Sequence, residues 1–161
     1  MAENTDSFDQ FDFLVSLEVA MKLMGFQAEV VELEEYPVSI EAKVPGYEDL
    51  PVDLVLIFLP LEKAVNDQVQ ILQIYFSLYD DDVAPEKFEQ LRRLCNTANT
   101  SSSVGVFGVQ EDIQRICYKQ GVVLRPETNK DIALQSAMDV LLLMSLALDT
   151  HYDAILNCIA E

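Results

Sequence analysis

The spacing of apolar residues divides the chain into segments of helical and strand period. Apolar side chains recur every three to four positions from Phe13 to Met24, which predicts a first helix. Ser7 and Gln10 have the form of a capping box at its start, and Gly25 is a natural residue to end it. The chain after Gly25 changes to a period of two, so strands are expected to follow the helix.

Four strands are predicted in residues 28–34, 38–44, 52–59 and 69–78, with a break at Tyr36-Pro37 and a loop through Asn66-Asp67. Residues 54–59 are apolar on both sides, which predicts a central strand covered on both faces. In the fourth strand, one side consists of Leu72, Ile74, Phe76 and Leu78, with Gln70 at the end of this side that is expected to meet water. Its other side is a mixed surface formed by Ile71, Gln73 and Tyr75, and these residues form a candidate partner-binding face.

A second helix is predicted with Pro85 at its first position. A loop at residues 99–103, two strands at 104–109 and 113–124, and a last helix over 129–160 should follow, with Gly121 marking a bulge and Asn129 an N-cap. The run 140–148 is apolar on every side, so the last helix is expected to be the centre of the core, with Leu142 buried. Flanked by Asp139 and Asp149, this run is shorter than the about 20 residues that cross a bilayer.

The predicted order is helix, four strands, helix, two strands, helix. Short connections allow only antiparallel neighbours within each group of strands, because parallel crossovers need about a dozen residues. The sequence therefore predicts an α+β fold, a twisted antiparallel sheet with helices packed on one face, as one domain over residues 1–161. The last helix has more apolar surface than one sheet face can cover, which favours a homodimer.

The charge of the chain is strongly negative and unevenly distributed. The net charge is −18, and residues 1–83 hold 3 lysines against 18 acidic residues. Such a surface repels phosphate groups, so nucleic acid and anionic membranes are unfavourable partners, whereas a basic protein or peptide is a favourable one. The alternative is that the charge serves only to keep the protein soluble.

Cys95, Cys117 and Cys158 are odd in number and lack the spacing of metal ligands. Free thiols in a reducing compartment are expected, and the acidic N-terminus has no signal-peptide pattern, so the cytoplasm is the predicted location. The sequence indicates no cofactor and no metal. Cys117 shares a strand face with Arg115 and Lys119, which could activate it, although an unreactive thiol is favoured.

Other candidate chemistry has a structural alternative at each position. The one histidine, His151, is interpreted as a cation in the last turn of its helix rather than a catalytic base. The run Asp80-Asp81-Asp82 favours the start of the next helix more than a cation site. Gly105 and Gly108 indicate close backbone packing within a strand rather than a phosphate loop.

The segment 91–99, which ends in Asn96-Thr97-Ala98-Asn99, is followed by Val104-Gly105-Val106-Phe107. It resembles the bacterial YbjN-like family, labelled sensory transduction regulators, in which a helix ending in Asn-x-x-Asn leads into a Val-Gly-x-Phe strand. The order of elements is similar to the type III secretion chaperone fold. The resemblance implies a non-enzymatic protein that binds other proteins, with Asn96, Asn99, Gly105 and Phe107 as its motif. The residues themselves favour capping and turn roles for the two asparagines.

Two functions are consistent with the sequence. The first is a chaperone-like or regulatory module that holds a basic or amphipathic segment of a partner protein. The second is a small-ligand-binding protein or enzyme that uses a pocket between sheet and helices. The absence of convergent polar residues with a catalytic pattern favours the first.

Overall fold

The computed structural model describes residues 9–34, 36–79 and 81–160, and within them the six strands and the three long helices follow the predicted order. The helices are α1 (Gln10–Leu23), α2 (Lys63–Asn66), α3 (Phe88–Ser101) and α4 (Lys130–Ala160). The strands are β1 (Gln27–Leu33), β2 (Tyr36–Lys43), β3 (Asp53–Phe58), β4 (Gln70–Ser77), β5 (Val106–Gln110) and β6 (Arg115–Leu124). They form one sheet in the order β1-β2-β3-β4-β6-β5 with every neighbouring pair antiparallel, which confirms the predicted α+β fold.

Cap residues were predicted for α1 and α4, and the structure shows which residues end or begin these two helices. Asn129 accepts a hydrogen bond from the backbone N–H of Asp131 at 2.8 Å, which confirms it as the N-cap of α4. Gly25 follows Met24, the C-cap residue of α1, and has φ +92°, a conformation that favours glycine. The N-cap of α1 is Asp9, whose carboxylate accepts from the N–H of Phe11 at 2.9 Å. The predicted cap Ser7 lies outside the described residues.

Two predicted connections differ from the structure. β2 begins at Tyr36, so the break predicted at Tyr36-Pro37 is wrong. The pairing of β1 with β2 shifts in register between Val31 and Leu33, opposite this part of β2, and a shifted register suits Pro37 because proline has no N–H to give to a sheet. The predicted loop through Asn66 contains the single turn of α2, which is too short to show a helical period.

The helices α1, α3 and α4 pack on one face of the sheet, called here the inner face. Its side chains include Ile40, Leu54, Leu56, Leu72, Ile74 and Phe76, which are fully buried. The expectation that β3 is covered on both faces is wrong. Val55 and Ile57 lie on the opposite side, where no helix packs within the described chain, and they are only half-buried.

The long helix α4 packs on the sheet through one side only. Leu141, Met144 and Leu148 are 0% exposed, because residues three and four apart share a side of a helix. Leu142 is turned away from that side and is half-buried, and Leu146 is 62% exposed. The expectation that Leu142 is fully buried is therefore wrong, although α4 does form the centre of the core.

By length and composition α4 is also the one helix of the described chain that is apolar enough to cross a membrane. Core helices of soluble proteins satisfy the same criterion, because burial in a protein selects the same residue types as burial in lipid. In this structure the fully buried side of α4 faces the sheet. The helix is therefore part of the core, as the apolar run at residues 140–148 predicts.

The two sides of α4 generate a stability prediction. Leu141→Ala removes a fully buried side chain and should reduce the free energy of unfolding by about 2–5 kcal/mol. Leu142→Ala should cost roughly half of that or less, because its side chain is already partly in water. Urea denaturation of both variants measures the difference, and equal losses would contradict the orientation of α4.

Candidate functional site

The side of the sheet that faces away from α1, α3 and α4 is called here the outer face. Antiparallel pairing aligns its side chains in rows that run across the strands. One row crosses all six strands and consists of Glu29, Glu41, Val55, Tyr75, Lys119 and Val106. The row therefore begins with two carboxylates on β1 and β2, has an apolar and aromatic centre on β3 and β4, and continues to a cation on β6.

The centre of the outer face is largely apolar. Ile57 and Gln73 are paired in the next row, and Ile71 is paired with Val123, which is 63% exposed. The structure thus brings the predicted face of Ile71, Gln73 and Tyr75 to the middle of the sheet, where all three are half-buried without a covering layer. An uncovered apolar area of this kind marks an interaction surface in soluble proteins.

The β1–β2 side of the outer face is acidic. Glu29 and Glu41 are directly opposite each other and exposed, and neither takes part in an ion pair within the described residues. Like charges opposite each other destabilise a strand pair. The nearest basic side chain on the face, Lys43, pairs with Asp53 at 2.6 Å. These side chains line a groove of about 520 Å³ that has two carboxylates without a cationic partner.

The β6–β5 side carries a free cation and a second depression. Lys119 is exposed and makes no ion pair within the described chain. Gly121 pairs with Gln73 in unbroken register, so the predicted bulge at Gly121 is wrong. A Cβ at Gly121 would lie 3.2 Å from Ile71 Cγ2. Its missing side chain leaves a depression of about 270 Å³, bordered by Val106 and Lys119.

Tyr75 covers Cys117 at the centre of this face. The Tyr75 hydroxyl donates to Gln110 Oε1 at 2.8 Å, and burial, with the Cys117 thiol beside it, raises the pKa of Tyr75 to about 12. Cys117 is 2% exposed, and burial raises the pKa of its thiol even though Lys119 acts in the opposite direction. The activation of Cys117 considered from sequence is therefore not found, since an activated thiol needs a lowered pKa and access.

The asparagine motif forms a corner at the end of α3, away from the outer face. Asn99 Nδ2 donates to the carbonyl of Phe107 at 3.0 Å, and the N–H of Phe107 donates to Asn99 Oδ1 at 2.8 Å. This amide takes the place of a neighbouring strand along the free edge of β5. Asn96 is exposed, and its side chain makes no hydrogen bond within the described chain. A capping role for Asn96 is wrong, because α3 continues to Ser101.

The close approach of the Tyr118 ring requires a glycine at position 105. A Cβ at Gly105 would lie 2.5 Å from Tyr118 Cε2, and its φ of +71° also favours glycine. The Tyr118 ring stacks on Phe107 with centroids 3.8 Å apart. Close packing, predicted for this glycine, is confirmed. The same prediction is wrong for Gly108, where an added Cβ would meet nothing within 4 Å.

His151 lies beside the C-terminal end of α3. Its Nε2 is 3.0 Å from Ser101 Oγ, and Ser101 also donates to the carbonyl of Ala98. Because α4 continues to Ala160, the interpretation of His151 as a last-turn cation is wrong. The serine and histidine are 50 residues apart, so sequence reasoning missed this pair. A helix C-terminus presents carbonyls rather than N–H groups, so it does not stabilise the oxyanion of a nucleophilic reaction.

The acidic run before α3 also has a structural role. Asp82 Oδ1 lies 3.4 Å from Nη2 of Arg115, the first residue of β6. The 3-10 turn that precedes α3 begins at Pro85, the predicted first helical position. Asp80 lies outside the described residues. Within the part of the chain that is described, no group of three or more histidine, cysteine or acidic residues has the geometry of a metal site.

No protein-family model matches this chain, and no curated protein sequence matches it. The resemblance to the YbjN-like family therefore stays a prediction. The outer face combines apolar and charged side chains, and no helix of the described chain packs on it.

The corner at Asn99 predicts a clear difference between the two asparagines. Asn99→Ala leaves the N–H and carbonyl of Phe107 without their partner and should cost about 1–3 kcal/mol of stability. Asn96→Ala should be neutral or slightly stabilising, because alanine is the better helix former at an exposed position. Thermal or urea denaturation measures the stability of both variants. Equal losses of stability would contradict the role of Asn99 in pairing with Phe107.

The burial of the cysteines predicts slow thiol chemistry in the folded protein. All three thiols are free and buried, and burial raises the pKa of Cys95 to about 11. Ellman's reagent at pH 8 should therefore label the native protein far more slowly than the same protein in denaturant, where three thiols become available. Fast labelling of any thiol in the native state would contradict this burial, and the Cys117→Ser variant would show whether Cys117 is the reactive one.

Proposed function

We propose that this protein is a non-enzymatic binding module whose outer face holds an amphipathic segment of another protein, with basic residues at one end. The observation that carries the proposal is the six-stranded sheet with helices on one face only. It leaves an apolar centre uncovered beside two carboxylates, those of Glu29 and Glu41, that have no cationic partner among the described residues. A chaperone-like or regulatory role follows from this binding.

The apolar centre supplies the affinity in this proposal. Val55, Ile57 and Ile71 are half-buried, so each still has apolar surface that a partner can remove from water. Tyr75 stands among them, and tyrosine is among the residues enriched in binding surfaces, since its ring is apolar and its hydroxyl bonds to polar groups. A partner that covers these residues needs apolar side chains on one side.

The carboxylates on β1 and β2 orient the bound segment. Glu29 and Glu41 repel each other across the strand pair, and a lysine or arginine placed between them relieves that repulsion. The net charge of −18 increases the rate at which such a cationic segment arrives. The same charge makes nucleic acid and anionic membranes unfavourable partners. Three free thiols accord with the cytoplasm as the proposed location.

The alternative function, a ligand or enzyme site between sheet and helices, has less support. The inner-face side chains of the sheet, such as Leu54 and Ile74, are 0% exposed and belong to one continuous hydrophobic core with α1 and α4. A small-molecule site needs a cleft with a few convergent polar groups. Glu29, Glu41 and Lys119, which make no ion pair within the described residues, lie instead on the outer face, where the surface is open and extended.

Synthetic peptides test the proposed function. A fluorescent peptide of alternating leucine and lysine should bind in an anisotropy titration, whereas a serine and lysine peptide of equal charge and a leucine and glutamate peptide should not. Ile57→Ser and Glu41→Gln should each weaken binding by at least about fivefold, because each removes one of the two kinds of contact.

Matched substitutions away from the outer face control this test. Leu146→Ser removes an equally apolar side chain from the exposed side of α4, and Glu127→Gln removes the same charge as Glu41→Gln. Neither control should change the affinity. If the serine and lysine peptide binds as well as the leucine peptide, or if the controls weaken binding equally, the attraction is only that of the net charge and the proposed face is wrong.

A further inference from the structure

The outer face is nearly balanced in charge although the chain as a whole is strongly acidic. The six strands place three carboxylates and three basic groups on it, namely Glu29, Glu41, Asp53, Lys43, Arg115 and Lys119. Asp82, from outside the strands, adds one carboxylate beside Arg115. The whole chain carries −18, so the other surfaces carry the excess negative charge. A second copy of an acidic chain can approach closely only through a surface of this kind.

The charges on the outer face are also arranged symmetrically. The midline of the sheet lies between β3 and β4, so β2 and β6 are equally far from it on opposite sides. Glu41 on β2 and Lys119 on β6 stand in the same row, separated by Val55 and Tyr75. Rotation by half a turn about an axis along this midline exchanges the acidic and the basic positions.

We infer that two copies of this chain pack outer face to outer face around a two-fold axis parallel to β3 and β4. Glu41 of each copy then faces Lys119 of the other, and Val55 lies over Tyr75 of the other copy. Sheets that pack in this way have nearly aligned strands and lie about 10 Å apart, with their side chains interdigitated. The axis makes both ion pairs equivalent, so each substitution acts twice in one dimer.

The helical surface of the chain is less suited to a second copy. The exposed large apolar residues of α4 are Ile132, Leu143 and Leu146, and the same helix exposes Asp131, Asp139, Asp149 and Asp153. Two α4 helices in contact would bring these carboxylates together without a compensating cation. On α1, the exposed row from Phe11 to Leu23 is apolar, but nothing in the structure shows what covers it.

This dimer has a consequence for binding that rests on the proposed function. The residues that meet the second copy are those proposed to hold the partner segment, so the two compete for one surface. Self-association protects the apolar centre while no partner is present, and a partner with more positive charge beside Glu29 and Glu41 displaces the second copy. The dimer is then the resting state, and the monomer is the state that binds.

Charge exchange tests the arrangement. Sedimentation equilibrium over a range of concentrations should show a dimer for the natural chain. Glu41→Lys and Lys119→Glu should each raise the dissociation constant by at least about tenfold, because both place like charges opposite each other twice per dimer. The double variant should return to within about threefold of the natural value, since it restores both pairs with their signs exchanged.

The double variant has the same net charge as the natural chain, so its recovery cannot come from the overall charge. Glu127→Lys and Lys63→Glu change the net charge equally at exposed positions outside the six strands and should leave the dissociation constant nearly unchanged. A monomer at every concentration overturns the inference. So does a dimer in which the single variants behave like these controls, or in which the double variant fails to recover.

Peptide binding separates this inference from the proposed function. Binding of the leucine and lysine peptide by the chain with no dimer detected would support the proposed function and overturn the inference. A dimer that responds to charge exchange but binds no peptide would support the inference alone. If both hold, increasing peptide concentrations should shift the natural chain from dimer to monomer, and a dimer that keeps its mass with bound peptide would overturn the competition.

Discussion

The structure depends on the burial of one face of a six-stranded antiparallel sheet beneath α4. Leu141, Met144 and Leu148 of this helix are inaccessible to water, as are Leu54 and Ile74 of the sheet below it. Each such side chain contributes about 1.5–3 kcal/mol relative to an exposed one, so this layer supplies much of the favourable free energy of folding. The helices α1 and α3 then pack on either side of α4 and complete the cover.

Packing every long helix on one face determines the character of the other. Alternation along each strand sends every second side chain to the outer face, whatever residue it carries. Natural sheets with one face in water have mostly polar residues there. This chain instead has Val55, Ile57, Ile71 and Tyr75 at the centre of that face. On either side lie charged residues that make no ion pair within the described part of the chain, Glu29 and Glu41 on one side and Lys119 on the other. That combination is the physical basis for proposing a partner on this face.

Side chains at the two edges of the sheet hinder pairing with the strands of another chain. A free edge offers unpaired backbone groups to other chains, and proteins block such edges. At β5 the amide of Asn99 satisfies the N–H and carbonyl of Phe107. At β1 the exposed Glu29 and Glu32 place negative charge along the edge, which opposes pairing between two acidic copies. Association through the face is therefore less hindered than association through an edge.

The sequence by itself determined the six strands, the three long helices and their order, because helical and strand periods, Gly25, Asn129 and Pro85 are local signals within a few residues. It missed only the single turn of α2 among the described helices. It also determined which side of most strands is apolar, and hence the α+β class. The uncovered face of β3 and the orientation of Leu142 away from the core could not be predicted from the sequence, because both depend on where the other elements pack.

Only the tertiary structure decided which residues meet. Glu29, Glu41, Tyr75 and Lys119 share a row because five strand pairings have a particular register, and a shift of one residue in any pairing would separate them. The contact of Asn99 with Phe107 and that of Ser101 with His151 likewise depend on packing between elements. Local periodicity encodes the side on which a residue lies, whereas register is fixed by long-range burial and pairing, which one segment does not contain.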